Sequence, residues 1–142
     1  MPLEVLTSGN LDRYRIEAAL AFPTGLKTAF QSWRLGRTAI DDVPVRIVQG
    51  INPGLLPVNF YFDTKTNMLV RWVRWNNTPV GPVPTEVNYG DYRTVAGVKM
   101  PFTWTVSQTY MQMTIKLSAV QPNANIDGKI FAQPAPALGA KP

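Results

Sequence analysis

The residue types present in this chain restrict the chemistry that it can perform. Histidine and cysteine are both absent from its 142 residues. Without them there is no thiolate or imidazole metal ligand, no cysteine nucleophile, no disulfide and no serine–histidine–aspartate triad. Carboxylate acid–base catalysis remains possible in principle, and it requires two carboxylates that converge on one pocket. Composition therefore predicts a protein that is not an enzyme, uses no cofactor and no metal, and acts by binding or as a structural subunit.

The carboxylates stand mostly at positions typical of turns and strand ends. Aspartate favours turn geometry because its side chain can bond to its own local backbone. Glu86 and Asp91 lie five residues apart on one predicted strand, which places them on opposite faces. The turn-forming aspartates are Asp41, Asp42, Asp63, Asp91 and Asp127, the last of which is expected to cap a short helix at 127–131.

Residues 69–75 interleave arginine with tryptophan and form the most distinctive segment for binding. In a strand, the sequence LVRWVRW places Arg71 and Trp75 on one face and Val70, Trp72 and Arg74 on the other. Such residues can bind single-stranded nucleic acid by stacking, and they are over-represented in protein–protein hot spots. Alternatively, the arginine stems pack along the tryptophan rings at a sheet edge. All three interpretations remain open at this point.

The hypothesis of protein docking extends this surface beyond the Arg/Trp strand. It adds the Pro/Gly-rich connection at 76–84 and the Pro/Ala-rich end of the chain. The other lysines and arginines are scattered along the sequence, which weakens the nucleic-acid interpretation, so no nucleic-acid partner is predicted. The predicted partner-binding residues are Arg71, Trp72, Arg74, Trp75, Asn76, Pro79, Pro82, Pro134 and Pro136.

A second hypothesis places a lipid acyl chain against a large apolar sheet face. The last two predicted strands alternate cleanly between apolar and polar residues, as a sheet with one dry face does. Methionine is common in adaptable apolar linings, although the same pattern is typical of a core packed against a helix. The possible lipid pocket consists of Phe60, Phe62, Met100, Phe102, Trp104, Met111 and Met113.

The order of predicted elements indicates the fold class α+β. Apolar spacing predicts a helix over 11–21, followed after Pro23 by a short second helix over 24–31. Alternating hydropathy then predicts seven strands joined mostly by short turns, which form an antiparallel meander. These strands are expected at 33–40, 43–50, 58–63, 68–75, 85–95, 98–106 and 110–120. Residues 1–132 are predicted to form one domain, and 133–142 an extended tail.

Several motifs along the chain match a known pattern. They are FYFDTKTNMLVR at 60–71, TPVGPVPT at 78–85, YGDYR at 89–93 and VAGVKMPF at 95–102. Together they resemble the C-terminal domain of bacterial proteins named photosynthetic reaction centre cytochrome c subunit. That domain is similar to the LolA/LolB-like lipoprotein carriers of the periplasm, which are curved antiparallel half-barrels with helices on the concave side. The resemblance covers nearly the whole chain and implies that fold, with two N-terminal helices packed on one face.

The resemblance also implies a location and a class of partner. It predicts a periplasmic subunit, peripheral to the inner membrane, that docks on a membrane-associated electron-transfer assembly containing a cytochrome c or a photosynthetic reaction centre. The alternative function is a carrier of acyl chains or lipoproteins. The haem-binding CxxCH motifs of the family are absent from this sequence, which excludes electron transfer by this chain itself. The further strands that usually begin the half-barrel are absent too, which puts lipid carriage in doubt. The N-terminus lacks the basic and apolar blocks of a signal peptide, and the net charge of +5 selects no partner.

Overall fold

The computed structural model describes residues 8–21 and 23–132, with the side chains of 14–20 and 25–132. The predicted tail, including Pro134 and Pro136, lies outside the described residues. The elements in chain order are helix α1 Ser8–Ala21, helical turn α2 Pro23–Leu26, strands β1 Ser32–Ile40, β2 Val43–Ile51, β3 Val58–Asp63, β4 Leu69–Thr78, β5 Gly81–Val95, β6 Val98–Gln108 and β7 Met111–Lys116, and a 3₁₀ helix Gly128–Phe131. Asp127 caps that last helix, as predicted, by accepting a hydrogen bond from the Lys129 backbone N–H.

The seven strands form a single open sheet in the order β1-β2-β3-β4-β5-β6-β7. Every neighbouring pair is antiparallel, which confirms the predicted meander. The described part of the chain is mostly β. The predicted second helix over 24–31 is wrong in extent, because α2 ends at Leu26 and gives way to turn bonds from Thr28 N–H to Gly25 O and from Ala29 N–H to Leu26 O.

Two hairpins are closed by the residues that the sequence indicates. Asp41 and Asp42 both have positive φ, 48° and 63°, between the directly paired residues Ile40 and Val43. Positive φ at both central positions defines the type I′ turn, whose twist matches that of the flanking strands. Ala96 and Gly97 close the β5–β6 hairpin in the same conformation, with φ of 48° and 83°. These two turns set the register of the sheet at one of its ends.

The Pro/Gly-rich stretch 76–84, predicted as a long connection, belongs largely to strands. β4 continues to Thr78 and β5 begins at Gly81, so only Pro79 and Val80 form the turn. Counting outward from that two-residue turn, Pro82 and Pro84 take the positions whose backbone N points away from β4. β6 pairs with β5 only from Glu86 onward, so no strand lies beside either proline nitrogen. Proline is tolerated at such edge positions. The prediction of a long connection at 76–84 was wrong because these prolines can lie within a strand.

A β-bulge shifts the register of β4 against β3. Tyr61 pairs with Arg71, whereas Phe62 pairs with Leu69, so Val70 is the extra residue. Bulges leave one residue unpaired and increase the local twist. The predicted alternation therefore holds for 71–75 and fails at Val70, because Leu69 and not Val70 shares a face with Trp72.

The main core cluster lies on one face of the sheet, called the inner face here because it carries Phe60 and Trp72. Phe30, just before β1, lies over this face with its ring centroid 4.9 Å from that of Trp33 and 5.7 Å from that of Phe60. Partly buried residues of α1 and of the segment after it pack against the same cluster, namely Ile16, Leu20, Leu26 and Ala29. A Cβ at Gly50 would lie 2.6 Å from Cγ and Cδ1 of Phe30, so the ring requires glycine there.

Replacing Gly50 with alanine should therefore destabilise the fold. Overpacking of a filled core costs about 1–3 kcal/mol in the free energy of unfolding. Gly36→Ala in the adjacent strand is the matched control, since a Cβ there meets only Ile47 Cβ at 3.9 Å, and surface substitutions stay within about 0.5 kcal/mol. Urea unfolding of the two variants measures both values. Equal stabilities for the two variants would contradict the assigned position of Phe30.

Candidate binding groove

The seven residues predicted to line a lipid pocket do share one face of the sheet. Cross-strand pairing places them with Phe60 on the inner face, since directly paired residues project to the same side. That face is largely filled around its centre: Phe60 has no exposed surface and Phe102 is 5% exposed. Phe62, Met100 and Trp104 are half-buried. Only Met111 and Met113, on the last strand, are substantially exposed, at 43% and 45%.

The predicted partner-binding residues are divided between the core and the surface. Trp72 is 2% exposed and belongs to the core, where its Nε1 donates to the Tyr89 hydroxyl at 3.3 Å. Arg74 is also buried, at 6% exposure. The expectation that Trp72 lies at a surface is wrong for the isolated chain, because it faces inward from a central strand. Arg74 faces inward beside it, towards the end of the sheet. Trp75 is half-buried, while Asn76, Pro79 and Pro82 are exposed.

Arg71 lies on the opposite, outer face in a chain of polar contacts. Its Nε donates to Asn88 Oδ1 at 2.6 Å and lies 3.4 Å from Glu86 Oε1. Asn88 in turn donates from Nδ2 to the same Glu86 oxygen at 2.6 Å. Much of this network is shielded from solvent, with Arg71 and Glu86 side chains 27% and 32% exposed. Arg71 therefore has a structural role that joins β4 to β5.

A groove of about 860 Å³ lies at the end of the sheet where the β4–β5 hairpin extends beyond its neighbours. Three turns that meet at this end contribute to it: the β2–β3 loop, the β4–β5 turn and the β6–β7 turn. They are brought together because successive turns of an antiparallel meander alternate between the two ends of the sheet. The lining residues are Ile16, Gly54, Leu55, Leu56, Val58, Arg74, Trp75, Asn76, Asn77, Thr78, Val80, Val83, Pro84, Thr85, Gln108, Thr109 and Tyr110.

Large apolar side chains stand at the rim of this groove, beside the exposed polar residues Asn76, Asn77 and Thr109. Each of the three turns presents one exposed large apolar side chain to it: Leu55 at 49%, Val80 at 92% and Tyr110 at 85% exposure. Scattered exposed apolar residues are normal, but convergence of several on one concavity is typical of an interaction site. The convergence involves three segments that are far apart in sequence.

The floor of the groove is polar and buried. Arg74 donates from Nη1 to Asn76 Oδ1, and Thr85, 4% exposed, pairs with Arg74 across the β4–β5 ladder. Gln108 Nε2 lies 3.5 Å from Thr85 Oγ1. A guanidinium held below an apolar rim can direct hydrogen bonds at an entering carboxylate or carbonyl group. The groove therefore combines apolar contact with one positively charged anchor.

None of the seven predicted lipid-pocket residues lines this groove, whereas three of the predicted partner-binding residues do: Arg74, Trp75 and Asn76. Leu55, Val80 and Tyr110 were missed as site residues by sequence reasoning. Their signal was nevertheless present, because large apolar residues occupy turn positions at this end of the sheet. The opposite turns carry Asp41, Asp42 and Gly97 instead.

Two of the described aspartates, Asp63 and Asp91, are held by partners close in sequence. Asp63 Oδ1 accepts from the backbone N–H groups of Lys65 and Thr66, and hydrogen bonding to Thr66 lowers the pKa of Asp63. Asp91 forms an ion pair with Arg93 at 2.6 Å, and that bond lowers the pKa of Asp91. Within residues 8–21 and 23–132, no three acidic residues come together as a metal site would require.

Two tyrosines of β5 have perturbed ionisation. Burial raises the pKa of Tyr89, and the nearby charge of Glu17 on α1 acts in the same direction. Burial, with a smaller contribution from Tyr89, raises the pKa of Tyr92 to about 12. The Tyr92 hydroxyl donates to Leu69 O at 2.5 Å beside the β4 bulge. The neutral phenol is therefore the form that the folded state stabilises.

Alkaline pH should weaken the fold through Tyr92. The pKa of an unperturbed tyrosine is 10.0 and that of Tyr92 in the folded chain is about 12, so the folded state retains the proton more strongly. This contribution to stability is complete below pH 10 and is lost progressively as the pH rises towards 12. Tyr92→Phe cannot ionise and should show a flatter decline in unfolding free energy over that range. Parallel declines for Tyr92→Phe and the unchanged chain would contradict the assignment.

Known proteins do not assign a family to this chain. Comparison with family models, curated proteins and solved structures finds no match in any of the three. No helix among the described residues is long and apolar enough to cross a membrane. The groove geometry is therefore the principal basis on which a function can be argued.

Proposed function

We propose that this chain is a non-enzymatic binding subunit that docks a protein partner in the groove at the end of the sheet. The observation that carries the proposal is the convergence of Leu55, Val80 and Tyr110, from three separate turns, on one concavity. Interface cores are enriched in aromatic residues and arginine, and energetic hot spots occupy partly enclosed pockets. Half-buried Trp75, on the outer face of β4, and the floor residue Arg74, on its inner face, supply those residue types at the groove.

The distribution of charge favours a protein over an anionic membrane surface at this site. Binding to anionic lipid depends on clustered lysines and arginines beside the apolar residues. Among the described residues, the only lysine or arginine that lines the groove is Arg74, which is buried. Lys65 and Lys99, which are exposed near turns, lie towards the opposite end of the sheet. The groove accordingly suits a segment with apolar side chains and at least one acidic or carbonyl acceptor.

The class of partner is proposed on the resemblance described above. We propose a LolA-like half-barrel with its helices against the inner face, located in the periplasm and peripheral to the inner membrane. Its partner would be a cytochrome c or reaction-centre subunit of a membrane-associated electron-transfer assembly. The open meander, and the contacts of Ile16 and Leu20 with the inner-face core, support this fold.

Carriage of an acyl chain is the second candidate, and one observation favours it. Met111 and Met113 are exposed on the inner face at 43% and 45%, so the β7 side of that face is accessible to a lipid. Phe60 and Phe102, however, already fill the inner face nearer its centre. Native mass spectrometry of protein purified without detergent tests this candidate, since a carrier retains lipid through purification.

Site-specific photocrosslinking tests the docking proposal in native membranes. A benzophenone side chain is placed at Val80, on the groove, or at Val98, which is 61% exposed beside the opposite β5–β6 turn. The proposal predicts that Val80 captures one membrane-complex subunit, identified by mass spectrometry, and that Val98 does not. Capture at both positions, or of lipid alone at Val80, would overturn it.

Substitutions in the groove should weaken association without unfolding the domain. With the captured subunit purified, Trp75→Ala is expected to lower affinity by roughly 2 kcal/mol, about 30-fold, which is the range of a hot spot. Val80→Asp should lower affinity at least tenfold, or about 1.4 kcal/mol, because it places a charge on the apolar rim. Val98→Asp is the matched control and should bind normally. Calorimetry gives the affinities, and thermal melts check folding. A large loss of melting temperature for Trp75→Ala with unchanged affinity would argue that Trp75 belongs to the core.

A further inference from the structure

We propose that the outer edge of β1, which pairs with no strand among the described residues, is a second binding site, independent of the groove, and that it adds an extended acidic strand of a partner protein to the sheet. β1 is nine residues long, seven of them exposed. Among the described elements only the β2 backbone lies beside it, although the Trp33 ring reaches Phe60 of β3. It pairs with β2 in continuous register over its whole length without a bulge, and β1 itself contains no proline. Edges of this kind are templates for strand addition unless they are covered.

The outward backbone groups of β1 can be identified from its turn. In a hairpin closed by a two-residue turn, the flanking pair Ile40 and Val43 is hydrogen-bonded, and such pairs alternate with non-bonded ones along the ladder. Residues in the non-bonded pairs direct their N–H and C=O groups away from β2. On β1 these residues are Trp33, Leu35, Arg37 and Ala39. Pro44 also falls in a non-bonded pair, as its missing N–H requires.

The charge of this edge favours an acidic occupant. β1 and β2 contain Arg34, Arg37 and Arg46 and no aspartate or glutamate. Arg37 and Arg46 are directly paired on the inner face, an arrangement that destabilises a sheet through repulsion. Arg46 donates to Asn67 Oδ1 at 3.4 Å, and neither arginine forms an ion pair with a described residue. A carboxylate next to this pair would remove the repulsion.

An apolar position adjoins the arginine pair. Leu35, 82% exposed, lies two residues from Arg37 on the same face and pairs with Val48. A shallow cleft of about 350 Å³ runs along these residues. An added strand would therefore place an acidic side chain beside Arg37 and an apolar one beside Leu35, two residues away. The same arginines disfavour the β1 edge of a second copy, which carries like charge.

A synthetic peptide tests this assignment on the full chain. The probe is a fluorescent nine-residue peptide, matched to the length of β1. Threonine occupies every second position, and glutamate and valine take turns at the positions between. The control peptide has lysine in place of glutamate. Anisotropy should show saturable binding of the glutamate peptide and at least tenfold weaker binding of the lysine peptide. Arg37→Glu should reverse this preference, while Lys99→Glu, a charge control on β6, should leave it unchanged.

A proline substitution tests how much the outward backbone N–H groups of β1 contribute to peptide binding. Leu35→Pro removes an outward N–H and leaves the hydrogen bonds between β1 and β2 in place. It should therefore lower the affinity for the glutamate peptide at least tenfold, while the circular dichroism spectrum keeps its strand signal. Leu35→Ala is the matched control for the lost side chain and should bind more tightly than Leu35→Pro. Failure of the glutamate peptide to bind, or a preference unaffected by Arg37→Glu, would overturn the proposal. A dimer in sedimentation that Leu35→Pro dissociates would assign the edge to a second copy and would equally overturn it.

Discussion

The contact between Phe30 and Gly50 is the constraint on which the arrangement of this domain depends. The segment after α2 carries the Phe30 ring over the inner face, and the ring is accommodated because Gly50 has no side chain. Trp33 and Phe60 then pack around Phe30 with edge-on or tilted rings. With this cluster in place, the inner face around Phe60 and Trp72 is closed by the chain's own aromatic residues. The space that remains for a ligand lies elsewhere.

That space is located by the connectivity of the sheet. An antiparallel meander directs alternate turns to opposite ends, so residues that are distant in sequence meet at one end without any special packing. Here one end has polar or small turn residues, among them Asp41, Asp42 and Gly97, whereas the other carries Leu55, Val80 and Tyr110. The second end also has the projecting β4–β5 hairpin, which forms one wall of the groove. The asymmetry between the two ends is the basis of the proposal that a partner docks at one of them.

The parts of this structure that were predictable from sequence depend on local rules. Alternating hydropathy and turn residues such as Asp41, Asp42 and Gly97 indicated the seven strands and their order, because both signals act within a few residues. The extension of β4 and β5 through 76–84 was not predictable in the same way. Whether Pro82 and Pro84 are tolerated depends on where β6 ends, which is a property of the assembled sheet.

The candidate site shows the same division between local and tertiary information. Arg74, Trp75 and Asn76 were identified from one unusual segment, but the burial of Trp72 and Arg74 depends on the strands on either side of β4. The β-bulge at Val70 could not be inferred from alternation alone, since alternation assumes constant register. Leu55 and Tyr110 join the site only because the topology brings three turns together.

The indole signals of the four tryptophans, Trp33, Trp72, Trp75 and Trp104, distinguish directly between binding in the groove at the end of the sheet and binding at the centre of the inner face. The measurement is a ¹⁵N–¹H spectrum of the full chain, titrated first with the subunit captured at Val80 and then with a soluble fatty acid. The account predicts that the subunit shifts the Trp75 Nε1–H signal and leaves those of Trp72 and Trp104 in place. It also predicts that the fatty acid moves none of the three. A shift of the Trp104 signal with that of Trp75 unmoved would contradict binding in the groove, and would place the ligand at the centre of the inner face, where Trp104 lies beside Met113 and Ile115.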